Sequence, residues 1–530
     1  MDGLIIAAII VLALLGTPLF AVFGGAAVLL FAQLEDTSIT GAANDVFSEK
    51  FADSPLLVTI PLFTFAGYLM AESGTPRRLV EVSRAWLGWL PGGLAIVCLV
   101  ASAFFTTFTG GSGITIVAIG GLLYPALIAD KYSERFSLGL ITTGGSLGLL
   151  FPPSLPIVLY GVVAGVLIEK LFLAGIIPGF ITVLALAGYA VSVGIRSPLP
   201  RTAFDARSAF GTLWYAKWEV LLPIVLLGGM YSGLLRIHEA AAFTAIYVLI
   251  IEVFVYRDVT FRHDLPRIIR ESMTLVGAIL AILATAIGFT AYLIQAQVPM
   301  QILEAMETLI SSELMFLLVL NVFLLGVGML MDIFSAIVVV VPLIVPIANH
   351  FGIDPYHLGI VFLLNLEIGY MTPPVGLNLF ISSFRFGKPV TLLYRAVLPF
   401  IGLLVVALVL ITYIPQLSTW ATGLIESEGL VRPEGAAAEM PAAEDTDEAS
   451  DLELEPVEEG EGADDLTLED LEGDDGADDL TLEDLEGDDG ELDLDDLEGL
   501  DEDDGSASDD GDDGDDGELD LDELMEQEGL

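Results

Sequence analysis

The chain has 530 residues, 54% of them hydrophobic, a mean hydropathy of +0.73 and a formal net charge of −53. Runs without Asp, Glu, Lys or Arg cover residues 3–33, 85–129, 171–195 and 314–331. Each reaches the about 18 residues that a helix rising about 1.5 Å per residue needs against a hydrocarbon core of about 30 Å, which excludes a single soluble core. A lone cysteine, Cys98, excludes an internal disulfide and a cysteine metal cluster. His238, His263, His350 and His357 are scattered without ligand spacing.

From the N-terminus, Met1-Asp2-Gly3 lacks the basic start of a removable signal peptide, and the apolar run continues too far for one. Spans are expected near 3–16, 19–33 and 56–72. The stretch 91–129 follows, with basic residues at both ends, so it enters and leaves on one side, as two full spans or as a re-entrant hairpin. Its tip is Thr109-Gly110-Gly111-Ser112-Gly113, a poor helix by composition. A span over 137–168 is broken near Phe151-Pro152-Pro153, and 171–195, 220–234, 238–256 and 271–296 cross next. Residues 297–312, with Glu304 and Glu307 and no base, form an outer loop. A second same-side stretch at 313–349, a broken span at 357–384 and a last span at 396–415 complete the body.

Cytoplasmic loops carry the excess of Lys and Arg. With both termini outside, this span order puts 16 of the 19 bases before Ser427 on the inner side, and only Lys50, Lys170 and Arg236 face out.

At a constant offset of 221, GLLFPP (148–153) lines up with GYMTPP (369–374), Pro125 with Pro346 and Gly67 with Gly288. The two copies run in opposite directions through the membrane, and inverted repeats with paired broken helices mark secondary transporters. Prolines in mid-membrane leave carbonyls without helical partners, which is tolerated where the backbone is buried in protein or lines a cavity. Such carbonyls suit Na+. Asp332, at the second hairpin's tip, and Glu367, two residues before Gly369, are ionisable groups at membrane depth. Such groups point to function, although Asp332 could equally cap a helix. Thr106, Thr107, Thr109 and Ser112 offer hydroxyls to an ion or a substrate carboxylate, or bond back within their helix.

From Ser427 to Leu530 there are 48 acids and one base, Arg432. ADDLTLEDLEGDDG (463–476) recurs unchanged at 477–490. Like-charged, nearly aromatic-free sequence cannot bury enough surface to offset ordering, so a disordered polyelectrolyte is expected, with its spaced leucines as a possible docking feature. The EF-hand pattern is not met in register.

GSLGLLFPPSLPIVLYG (145–161) and GMLMDIFSAIVVVVPLIVPIANHFGIDPYHLGIVFLLNLEIGYMTPPVGLNLF (328–380) resemble the two repeat motifs of the large membrane subunit of the TRAP (tripartite ATP-independent periplasmic) transporters. The resemblance spans about residues 1–425 and leaves the tail outside. It implies an all-α polytopic membrane protein of the bacterial inner membrane. Two inverted-topology repeats, 1–210 and 211–426, would hold re-entrant hairpins and broken helices in an elevator-type transporter, followed by the acidic tail 427–530. It further implies Na+ as coupling ion, no other cofactor, and an organic acid (a C4-dicarboxylate or a sugar acid) as substrate. The partners implied are a small four-helix membrane subunit and a periplasmic substrate-binding protein, with lipid around the chain and no nucleic acid.

Carried over by motif, one Na+ site would use Thr109, Gly148, Phe151 and Pro153, and the other Thr106, Gly328, Gly369, Thr372 and Val375. Thr107, Ser112 and Asp332 are the candidate substrate contacts. Thr109 stands where the family usually has serine and Phe151 where it has Ile or Val; neither change removes a backbone carbonyl. The rival reading is a sodium-coupled carboxylate carrier that works without a binding protein. A channel would need a continuous polar pore, and no nucleophile–histidine pair, metal motif or P-loop supports an enzyme.

Overall fold

The computed structural model describes residues 17–32, 55–197, 203–298, 300–301 and 312–428. The expected first span at 3–16, most of the outer loop 297–312 and nearly all of the tail lie outside these residues. Among the described residues the regular elements are all helical. Among the described residues, seven helices are long and apolar enough to cross a membrane, or up to ten spans if each sharply bent pair counts as one.

The chain begins with α1 (Leu19–Phe31), α2 (Thr59–Ala71) and α3 (Thr75–Leu87). The first hairpin is α4 (Gly93–Thr109) and α5 (Ser112–Ala129). The first broken helix is α6 (Glu134–Gly144), a 3-10 turn over Leu147–Leu150 and α7 (Leu155–Ala164), bent by 46°. Then come α8 (Ile168–Arg196), α9 (Ala206–Tyr215), α10 (Lys217–Tyr231), α11 (Ile237–Leu249), which runs on as a π turn over Ile250–Val255, and α12 (Asp264–Gln295). The second hairpin is α13 (Glu313–Leu330) and α14 (Ile333–His350), and the second broken helix is α15 (Pro355–Gly369) and α16 (Leu377–Phe386). α17 (Val390–Tyr413) and α18 (Gln416–Glu428) close the body.

Local sequence explains where these helices stop. Gly110 ends α4 at φ 62°, a left-handed position that glycine adopts without a steric cost. Asp332 caps α14, and Asp354 followed by Pro355 starts α15. Pro152-Pro153 and Pro373-Pro374, both cis, occupy the two breaks and supply no N–H to continue a helix.

The offset of 221 holds at the level of elements. α5 and α14 begin and end at corresponding residues, α4 and α13 end at corresponding residues, and α6 and α15 start at corresponding residues. Packing repeats as well. The first helix of each hairpin lies against its own broken helix, and the second helix lies against the far half of the other one, α5 on α16 and α14 on α7. A separate group, α1, α2, α11 and α12, packs mainly on itself.

Ion pairs join loops that the charge pattern assigns to one side. Arg78 is 3% exposed and reaches Glu219, Glu252 and Asp258, tying α3 to α10, to the π turn and to the segment after it. Arg267 meets Glu72 at 2.7 Å. Lys388 meets Glu134 at 2.6 Å and holds that carboxyl below its usual range.

The sequence reading misses two elements. Two stretches that lie between the expected spans and carry inner-side bases are helical: 77–84 falls within α3 and 196–217 contains α9, helices bent by 71° and 68° from their neighbours. Trp86 Nε1 donates to the Ala209 carbonyl at 3.2 Å, exposed Phe204, Phe210 and Trp89 cluster around that contact, and Lys217 lies over the exposed Trp214 ring. Aromatic residues beside bases suit the headgroup level of a bilayer.

Candidate functional site

Both hairpin tips meet the breaks at glycines. A Cβ on Gly148 would stand 2.2 Å from the Ala103 carbonyl oxygen and 2.5 Å from Thr107 N. A Cβ on Gly369 would stand 2.6 Å from Gly328 Cα. Thr107 and Gly328 are themselves 221 apart, so the same backbone-to-backbone contact is made twice.

The hydrogen bonds repeat in the same way. At the tips, Gly110 N donates to Thr106 O at 2.8 Å and Met331 N to Val327 O at 2.9 Å. At the breaks, Phe151 N donates to Gly148 O at 3.1 Å and Thr372 N to Gly369 O at 2.9 Å. The prolines deny Gly148 and Gly369 their helical donors, and a tighter turn takes over. Unwound carbonyls beside a glycine-tight hairpin tip have the oxygen chemistry that discontinuous membrane helices offer to Na+.

The side chains at the first tip are buried and engaged. The Thr106 hydroxyl lies 2.8 Å from Ser102 O, 2.7 Å from Thr115 Oγ1 and 2.9 Å from Gly145 O. Its bonds therefore run to the first break, whereas the family motif groups Thr106 with the second set. Thr107 donates to Ala103 O at 2.8 Å and to Gly148 O at 3.3 Å. Thr109 bonds back to Phe105 O at 3.1 Å. The Phe151 ring turns away from the break, against Gly179 and edge-on to Phe180 at 5.3 Å between centroids.

At the second tip, Asp332 is exposed and its carboxylate accepts from Phe334 N at 3.0 Å, Ser335 N at 3.1 Å and Ser335 Oγ at 2.5 Å. It caps α14, one of the two roles the sequence leaves open. Asp332→Ala should therefore lower stability by about 1 kcal/mol, and Asp332→Asn by less, read as thermal unfolding in detergent. Loss of uptake in the Asn variant at unchanged stability would assign the charge to a ligand; unchanged uptake leaves only the cap. Nearby, Tyr370 Oη accepts from Ile333 N, and Gly376 N donates to Met329 O at 3.2 Å, stitching the second break to its tip. Thr372 bonds back to Ile368 O at 2.7 Å, and Val375 is partly exposed in the break.

The sequence reading misses the link between repeats. Ser112 Oγ donates to Asn378 Oδ1 at 2.7 Å, and Thr142 Oγ1 meets Ser382 Oγ at 2.8 Å. Asn378 and Ser382 are buried polar residues inside an apolar stretch, the one signal that could have marked them. Glu367 is fully buried, and neither of its carboxylate oxygens has a hydrogen-bond partner among the described residues.

Residues 6–417 match the family model described as "Tripartite ATP-independent periplasmic transporter, DctM component". The chain is 34% identical over 433 residues to the C4-dicarboxylate TRAP transporter large permease protein DctM of Vibrio cholerae, covering 78% of this chain and 95% of that one. It is 37% identical over 365 residues to the protein of the same name from Pseudomonas aeruginosa, covering 68% and 85%. Among solved structures, the Alcanivorax borkumensis YdaH transporter superposes with a TM-score of 0.56 at 14% identity, over 76% of this chain and 99% of that one, a likeness of fold.

Proposed function

The chain belongs to the DctM component family of tripartite ATP-independent periplasmic transporters, and on that premise we propose that it is the large membrane subunit of an inner-membrane importer that couples organic-acid uptake to Na+. The observation that carries this reading is the duplicated break. Two glycines, Gly148 and Gly369, press against two hairpin tips and leave equivalent turns of backbone carbonyl at equivalent places. Na+ bound there would fix the hairpin tips against the broken helices. The two sets of oxygens would come from Thr109, Gly148, Phe151 and Pro153, and from Thr106, Gly328, Gly369, Thr372 and Val375. Ser112 and Thr107, at the first tip, would face the substrate.

In this reading the hairpins and broken helices move as one body against α1, α2, α11 and α12, in the manner of an elevator. Cross-repeat bonds such as Ser112–Asn378 support a single moving body. Both termini lie on the periplasmic side. The partners are a small membrane subunit and a periplasmic binding protein, which makes the first selection of substrate. The two relatives named above point to a C4-dicarboxylate, with sugar acids as the competing class.

Purified chain reconstituted with both partners should take up organic acid only when Na+ is present outside. Equal uptake in K+ buffer under a proton gradient would overturn the coupling. Full uptake without the binding protein would favour the stand-alone carboxylate carrier instead.

A further inference from the structure

Glu367 lies in α15, two residues before Gly369, and its relative exposure is 0%. Both carboxylate oxygens are without a donor among the described residues. The other deeply buried acids among the described residues are treated differently. Glu219 and Glu252 share Arg78, and each takes a further hydroxyl bond, from Tyr256 at 3.1 Å and from Thr75 at 2.7 Å. A buried charge without such partners is too costly to persist unless something neutralises it. No described Lys or Arg forms an ion pair with Glu367. Neutralisation then comes either from a proton held by the carboxyl itself or from a cation outside the protein's own side chains.

We propose that Glu367 is an anionic ligand for a monovalent metal cation, Na+, in the transport core, in addition to the carbonyls of the breaks. This inference rests on the Na+ reading above. Two residues of helix separate Glu367 from Gly369 by about 3 Å along the axis and turn the Glu367 side chain to a different face of α15 from the one that meets the second tip. α15 also packs on the 3-10 turn Leu147–Leu150 of the first break, so Glu367 sits on the helix that lies between both sets of carbonyls. Its counterpart in the first repeat, 221 residues earlier, is Ser146, a buried neutral hydroxyl that donates to Thr143 O at 3.2 Å. The core thus carries one negative side chain across two related positions. One bound Na+ would be balanced by the protein, and any further Na+ would bring uncompensated charge.

The test is Na+ binding read without transport. The purified chain in lipid nanodiscs is titrated with NaCl against choline chloride at constant ionic strength, and its unfolding temperature is followed, because a ligand of the folded state raises it. Wild type should be stabilised by Na+. Glu367→Gln should fold at least as well without Na+ and need about tenfold more Na+, or more, for the same shift, a loss of about 1.4 kcal/mol in binding. Glu367→Asp should fall between them. An identical Na+ response in wild type and Glu367→Gln overturns this proposal alone. No response in wild type overturns the Na+ reading itself. If Glu367→Gln does not fold, infrared difference spectra of wild type decide: a carboxylate band that shifts on adding Na+ supports the ligand. A protonated-carboxyl band that persists at saturating Na+ overturns it.

Discussion

Gly369→Ala and Gly148→Ala should each lower Na+-driven uptake by about tenfold or more while leaving the protein in the membrane. The cause is the backbone contact, and a larger side chain is not required. One added methyl group on Gly369 meets Gly328 Cα at 2.6 Å, and on Gly148 it meets the Ala103 carbonyl oxygen at 2.2 Å. Neither neighbour is a flexible side-chain end, so the hairpin must retreat from the broken helix. Overpacking of this kind costs about 1–3 kcal/mol. Each about 1.4 kcal/mol is a factor of ten if it falls on the ion-bound state. Gly326 supplies the control. It lies in α13, two residues from Gly328, and a Cβ there meets nothing within 4 Å. Gly326→Ala should transport at close to the wild-type rate. Uptake is measured in proteoliposomes at saturating Na+ and again at low Na+, where a weakened ion site shows most. If Gly369→Ala and Gly326→Ala behave alike, the close approach of hairpin and broken helix has no part in transport.

The features legible in the sequence are the ones that local chemistry writes into a few residues. A double glycine between apolar runs marks a tip, and a double proline marks a break. Repetition of the double proline at one offset, with Pro125 on Pro346, marks the duplicated architecture, which the helix boundaries of α5 and α14 reproduce residue for residue. The hidden features depend on distant parts of the chain. Ser112 and Asn378 are 266 residues apart, and nothing near either announces the other. α3 and α9 escape a hydropathy reading because their polar faces lower the average, and a scan for spans passes over short amphipathic helices. Asp332 stands before α14 and its carboxylate caps that helix, one of the two roles its position in the sequence leaves open. Arg77, Arg78 and Arg84 are three of the 16 bases that the span order puts on the inner side. Charge counting places such residues on a side of the membrane and says nothing of burial, and the structure separates Arg78 from Arg77 by burial and by its three carboxylate partners.

That burial makes Arg78→Met the largest expected loss of stability, about 3–5 kcal/mol. The guanidinium uses every edge. Nε and Nη1 contact Glu219 and Asp258, Nη2 meets Glu252 at 2.8 and 3.0 Å, and the face lies 3.8 Å from the Tyr256 ring centroid. Glu219 and Glu252 are 3% and 1% exposed, so removing the arginine strands two acids where water cannot reach them well. Most of the loss therefore belongs to the carboxylates left behind. It follows that Arg78→Met combined with Glu219→Gln and Glu252→Gln should recover a large part of the stability, because neutral amides can share hydrogen bonds with Thr75 and Tyr256. Arg78→Lys should lie in between, since an ammonium cannot reproduce the fork that meets three carboxylates. The measurement is thermal unfolding in detergent for the single, double and triple variants, with the double Gln variant separating the cost of the stranded charges from the cost of lost packing. A triple variant no more stable than Arg78→Met would mean that the arginine holds α3 against α10 and the π turn mainly by shape. A single variant as stable as wild type would mean that the network does not hold these elements together at all.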